Sequence, residues 1–207
     1  MKKAAMIDPT FTLRGAALYR GWLASDAQAR LVAEVRAVVM AAPLFRPITP
    51  SGKAMSVRMT SAGRLGWISD RKGYRYEPRH PDGMEWPPVP ETALGVWRAL
   101  VEGRRDPDCC LVNFYEPEAR MGMHQDRDEA DFDWPVVSIS LGDEALFRVG
   151  NTIRGGPTES AWLQSGDVIV LRGAARLAYH GVDRLRPGSS RLLRGPGRIN
   201  LTMRAVT

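Results

Sequence analysis

The sequence predicts an α+β fold, with helices packed on one face of an antiparallel β-sandwich or barrel. Three observations carry that expectation. Two amphipathic stretches of helical period fall in the first half of the chain, and short strand patterns separated by turn signals fill everything after Cys109. At 44% hydrophobic and 25% charged residues, the 207-residue chain is neither disordered nor fibrous, and it is long enough for one sizeable core. It is read as one domain over 1–207. No apolar run approaches the ~20 residues of a membrane-spanning helix, so a membrane partner is not expected.

The first helix is expected over 25–42. Ser25 or Asp26 can cap it, Leu31, Val32, Val35, Val38 and Val39 form its stripe, and Pro43 ends it. A second should run from near Pro90 to Gly103, burying Leu94, Trp97, Leu100 and Val101. Residues 44–89, rich in Gly, Pro, Arg and aromatics without a long period, read as short strands and loops, where substrate contacts concentrate. Strands follow at Cys109–Tyr115, Val136–Leu141, Ala145–Val149, Ala161–Gln164, Val168–Leu171, Arg176–His180 and Arg198–Val206. Gly150-Asn151 and Ser165-Gly166-Asp167 mark hairpin connections.

Cys109 and Cys110 are adjacent in a strand, so their side chains point to opposite faces and cannot form an ordinary disulfide. That favours a reducing compartment, the cytoplasm. Lys2 and Lys3 are followed by Asp8 before any signal-peptide core, so export is not expected. The net charge of +6 sits wholly in residues 1–110. Residues 46–79 carry eight basic side chains against Asp70 and Glu77, with Trp67, Tyr74 and Tyr76 interleaved. This suits a polyanion with stackable rings, although a solvated arginine-rich face or core aromatics would look similar.

The last strand, Arg198 to Arg204, alternates strictly: Arg198, Asn200, Thr202 and Arg204 share one face, and Ile199, Leu201 and Met203 the other. Such a polar face either meets solvent or clamps a small dicarboxylate between its arginines. Asn113 and Tyr115 share a face of their own strand in the same way. Of the three histidines, His124 lies two residues before Asp126 in extended chain, and His180 closes another expected strand. Two His and one carboxylate form the facial triad of non-haem Fe(II) oxygenases, with coordination positions left open. Zinc hydrolases and cupins use similar ligands but do not require the doubly basic strand. His80 reads as a solvated loop residue, Asp128, Glu129, Asp131 and Asp133 as an acidic loop, and the cysteines as packing residues.

These motifs resemble the AlkB family of Fe(II)- and 2-oxoglutarate-dependent dioxygenases. The signatures are Leu111-Val112-Asn113-Phe114-Tyr115, His124-Gln125-Asp126-Arg127-Asp128-Glu129, Tyr179-His180-Gly181 and R-x-N-x-T-x-R at 198–204. Upstream, Met55 to Thr60, Leu65-Gly66-Trp67 and Gly73-Tyr74-Arg75-Tyr76 resemble the family's nucleotide-recognition segment, here 44–89. The resemblance implies a double-stranded β-helix (jelly-roll) with its core at 109–207. It implies Fe(II) held by the catalytic residues His124, Asp126 and His180, and 2-oxoglutarate held by Asn113, Tyr115, Arg198, Asn200 and Arg204. With O2 as second cosubstrate, 1-methyladenine and 3-methylcytosine in DNA or RNA would lose their methyl groups as formaldehyde. Trp67 would stack on the extruded base and Tyr74 line its pocket. Tyr76 would contact the backbone nearby, Asp128 the base's exocyclic amine, and Arg154 the nucleic acid. The chain departs from the family pattern at Leu171, where an aromatic is expected, and at Ser69-Asp70. A hydroxylase of protein or small molecules and a non-catalytic binder of damaged nucleic acid are the competing readings; the protein is expected to act as a monomer.

Overall fold

Alternation along the strands builds two antiparallel sheets, and the helices cover the outer face of the larger. The structure, a computed structural model, describes residues 7–103 and 105–207; the expectation about Lys2 and Lys3 falls outside them. The elements are β1 Phe11–Leu13, β2 Ala16–Tyr19, α1 Ser25–Ala41, β3 Arg58–Gly63, β4 Gly66–Asp70, β5 Gly73–Glu77, α2 Glu91–Leu100, β6 Cys109–Tyr115, β7 Met121–His124, β8 Val136–Gly142, β9 Glu144–Val149, β10 Glu159–Leu163, β11 Val168–Leu171, β12 His180–Arg186 and β13 Arg198–Arg204. The larger sheet runs β1-β2-β11-β8-β13-β6-β3, the smaller β10-β9-β12-β7, and β4-β5 stands apart as a hairpin. This is the jelly-roll expected from the sequence.

Period two divides the core. Ile199, Leu201 and Met203 of β13 join Cys110, Val112, Ile139 and Val170 against Leu31, Val35 and Val38 of α1 and Val96, Trp97 and Leu100 of α2. Cys109, Leu111, Ile169 and Leu171 face the other way, onto Phe147, Val149, Leu163 and Val182 of the smaller sheet. Both cysteines are therefore buried and free, one on each face. Among the described residues no helix is long and apolar enough to cross a membrane.

Several elements differ from expectation. A hairpin precedes the helices: Arg14 and Gly15 both take positive φ (45° and 85°), the geometry of a two-residue β-turn, and β2 joins the larger sheet beside β11. β3 also enters that sheet, against β6, so the sheet draws on chain well before residue 109. Neither Ser25 nor Asp26 caps α1; Ala24 holds the N-cap position without a side-chain bond, and Asp26 lies in the first turn, where its charge opposes the helix dipole. α2 ends at Leu100, not Gly103, and Trp97 Nε1 donates to Arg105 O (2.9 Å) as the chain turns back. The strand expected over 176–180 is a turn instead. Gly173 begins it with φ of 53°, and the Arg176 guanidinium points inward to Trp134 O, Asp126 O and Glu129. His180 thus opens a strand rather than closing one.

Trp97 is 1% exposed, one of the largest fully buried side chains described. Trp97→Ala should cost ~3–5 kcal/mol of unfolding free energy, read by urea denaturation, because neither helix can close the void.

Candidate active site

The two histidines meet because their strands are neighbours. β7 and β12 pair antiparallel with His180 opposite His124, and the ring centroids lie 4.5 Å apart. Asp126, two residues past His124, completes a cluster whose ligand atoms all fall within 4.8 Å of one another. His124 Nε2 is 3.8 Å from Asp126 Oδ1 and His180 Nε2 is 3.7 Å from Asp126 Oδ2. Each Nδ1 donates to a backbone carbonyl, Gly122 O for His124 and Ala178 O for His180, both at 2.9 Å. Burial and the nearby His124 push the His180 pKa down to about 4, so its Nε2 presents a lone pair. Burial alone would raise the Asp126 carboxyl, but Arg204 and the two imidazoles outweigh it and hold the group ionised.

The cluster opens into a cavity of about 480 Å³ between the sheets. The polar face of β13 lines it, as alternation predicts. Arg204 Nη2 donates to Asp126 Oδ1 (2.8 Å), while its Nη1 is buried without a hydrogen-bond partner among the described residues. Arg198 is 1% exposed and gives Nη2 to Ser140 Oγ (2.8 Å), leaving Nε and Nη1 unpartnered. Burial lowers the Arg198 pKa to about 10, against the opposing pull of Tyr115 and Asp167. Burial likewise raises Tyr115 to about 12, which keeps its phenol protonated. Asn113 Oδ1 is unpartnered, whereas Asn200 Nδ2 bonds both Ser138 Oγ and Ile139 O.

The β4–β5 hairpin roofs the mouth. Trp67 and Tyr74 stack with centroids 5.6 Å apart and planes 15° from parallel, and Trp67 Nε1 donates to Asp128 Oδ2 (3.0 Å). Tyr76 gives its hydroxyl to Glu129. Arg154 lies over the Tyr179 ring, 5.1 Å from its centroid. All thirteen residues singled out in the sequence line this one cavity.

Other readings change. His80 is buried, not solvated: Nε2 faces Pro43 O (2.9 Å), Nδ1 accepts from Asp82 N–H (3.1 Å), and Phe45 and Trp86 pack edge-on against the ring. Glu129 is no solvated loop acid either, being paired with Arg176 at 3.0 Å in the interior. Much of the basic surplus is internally matched, since Arg75 pairs with Asp70 and Glu77, Arg64 with Asp108, and Arg79 with Glu85.

The family model described as the 2OG-Fe(II) oxygenase superfamily matches residues 15–204. A Caulobacter vibrioides protein named "Alpha-ketoglutarate-dependent dioxygenase AlkB homolog" is 53% identical over 197 residues, 95% of this chain and 90% of that protein. Escherichia coli "Alpha-ketoglutarate-dependent dioxygenase AlkB" is 39% identical over 179 residues, 84% of this chain and 82% of its own length. The chain belongs to the AlkB family of 2OG-Fe(II) dioxygenases. The solved structure of OsALKBH1 shares the fold, with a TM-score of 0.77 and 29% identity over 94% of this chain and 98% of that one. As an AlkB-family dioxygenase, the enzyme uses Fe(II) and 2-oxoglutarate, and the His124, Asp126 and His180 cluster is its candidate facial triad. Leu171, where the resemblance expects an aromatic, is buried in the cavity wall of this AlkB-family enzyme and leaves it aliphatic there.

Proposed function

We propose that this dioxygenase demethylates N-alkylated bases, 1-methyladenine and 3-methylcytosine, in DNA, releasing formaldehyde, with RNA as the alternative carrier to be tested. One observation carries the reading: the cavity mouth is roofed by the stacked Trp67 and Tyr74 and edged by the Asp128 carboxylate. Both methylated bases are flat cations. An aromatic face with an adjacent carboxylate is complementary to them in shape and charge.

The residues fit the cofactors. Asp126 Oδ2 is buried without a hydrogen-bond partner among the described residues, and the neutral His180 Nε2 faces it, an arrangement that suits a divalent cation. His124, Asp126 and His180 would hold Fe(II), which when bound supplies the dioxygen activation that couples 2-oxoglutarate breakdown to methyl oxidation. Arg198 and Arg204 offer unpartnered donors to the carboxylates of 2-oxoglutarate. Asn113 and Tyr115 add polar contacts, and Asn200, fixed by Ser138, orients that wall. Trp67 and Tyr74 stack the base, Asp128 reads its amine edge, and Tyr76 and Arg154 bind nearby. The setting proposed is the cytoplasm and the working form a monomer.

Formaldehyde release from methylated oligonucleotides, DNA beside RNA, with Fe(II) and 2-oxoglutarate, is the direct test. Trp67→Ala should weaken oligonucleotide binding by ~1–3 kcal/mol, the worth of one base–aromatic stack, and by more than it weakens 2-oxoglutarate binding. Among the described residues Arg71 and Lys72 form no ion pair, unlike Arg75. Neutralising those two should flatten the salt dependence of binding for every sequence. Binding that ignores both salt and Trp67 would point to a hydroxylase of protein or small molecules.

A further inference from the structure

Glu129 carries a burden that its place in an acidic loop does not suggest. It is 6% exposed and three groups converge on its carboxylate. Arg176 Nη2 donates to Oε2 at 3.0 Å, the Tyr76 hydroxyl donates to Oε1, and Arg204 Nε lies 3.3 Å from Oε1 as an ion-pair contact without hydrogen-bond geometry. Tyr76 belongs to the β4–β5 hairpin and Arg204 to β13, the far end of the cavity's polar wall. Glu129 therefore touches both the roof, through the Tyr76 hydroxyl, and Arg204.

The geometry also fixes Arg204. Asp126 holds its Nη2 and Glu129 sits beside its Nε, so two carboxylates on different atoms set the plane of the guanidinium and leave Nη1 unpartnered. The hairpin meets the same loop through two opposed residues. Trp67 and Tyr76 are cross-strand partners, and they reach the consecutive Asp128 and Glu129. A base that takes Asp128 removes the first tie, and Tyr76–Glu129 is then the side-chain bond that still joins the hairpin to this loop, its other ties (Ser69 to Ile48, Trp86 Nε1 to Glu77 O) running to other stretches of chain. A buried carboxylate that loses a donor is costly. If the roof lifts, Arg176 still holds Oε2 but Oε1 loses the Tyr76 hydrogen bond, and Arg204 Nε, 3.3 Å away, is the donor placed to replace it by a turn of the guanidinium.

We infer that Glu129 is a positioning residue that joins the β4–β5 hairpin to Arg204, so that seating of the roof and grip on 2-oxoglutarate form one equilibrium. This rests on the reading of Arg204 as a cosubstrate contact.

The test uses Fe(II)-loaded protein under anaerobic conditions, without nucleic acid. Calorimetry gives the 2-oxoglutarate Kd, and amide hydrogen exchange follows residues 66–77 with and without 2-oxoglutarate. In the wild type, 2-oxoglutarate should slow exchange in the hairpin. Tyr76→Phe, which keeps the ring, should erase that protection and weaken 2-oxoglutarate roughly threefold to tenfold, the scale of one hydrogen bond. Glu129→Gln should do at least as much, and the double variant should be no weaker than Glu129→Gln alone, because both act through one link. Should Glu129→Gln fail to fold, Tyr76→Phe decides alone. Wild-type Kd in Tyr76→Phe, or a hairpin whose exchange ignores 2-oxoglutarate in the wild type, overturns the inference. Unchanged 2-oxoglutarate affinity in Arg204→Met overturns the cosubstrate reading beneath it as well, which tells the two failures apart.

Discussion

Alanine at His124, Asp126 or His180 should abolish formaldehyde and succinate release, with losses of ~10³-fold or more. Changes one shell further from a metal already cost ~10–100-fold, and these variants each remove one of three protein ligands. The three should differ in folding. His124 sits at the edge of the smaller sheet with its side chain 40% exposed, so His124→Ala should keep a near-native melting temperature. Asp126→Ala deprives Arg204 of a 2.8 Å ion pair in the interior and should melt lower. Full turnover in any of these variants would remove that residue from the triad.

The second large effect couples binding and stability with opposite signs. Arg198 is a buried cation with two unpartnered nitrogens and one neutral partner, Ser140. Arg198→Met should weaken 2-oxoglutarate by ~2–5 kcal/mol, the cost of deleting one side of a buried charge pair. Without 2-oxoglutarate the same variant should be more stable than the wild type by ~1–3 kcal/mol, since it removes a desolvated charge that lacks partners. Calorimetric titration and thermal melts of the cosubstrate-free protein check the two halves separately. A variant that is both less stable and unchanged in 2-oxoglutarate affinity would make Arg198 a structural residue.

Strand period made much of this legible. Arg198, Asn200, Thr202 and Arg204 turn inward and Ile199, Leu201 and Met203 turn to the helices because side chains alternate whatever the surroundings. What stayed hidden depends on distant partners. β1 and β2 have three and four residues, too few for a pattern, and gain stability only beside β11. Glu129 and Arg176 look like surface charges until the fold brings them together across 47 positions. His80 resembled a loop residue because Pro43, Phe45 and Trp86, which enclose it, come from two other stretches of chain. Ion pairing, local at Arg75 and Arg79 and long-range at Arg64, consumed much of the basic surplus that the sequence offered for phosphates.

Hanging His124 and His180 on a cross-strand pair separates the metal geometry from the chain that joins them. The spacing of the imidazoles is a ladder spacing, set by backbone pairing of β7 with β12, and owes nothing to the length of the connection. The β9–β10 loop can therefore be lengthened beside Arg154 next to Gly155, which faces open space but must itself stay glycine because its φ is 100°. That makes it a graft point: new segments can be installed at the rim of the cavity while the cross-strand pair of His124 and His180 keeps its spacing, a division of labour useful for retargeting the enzyme.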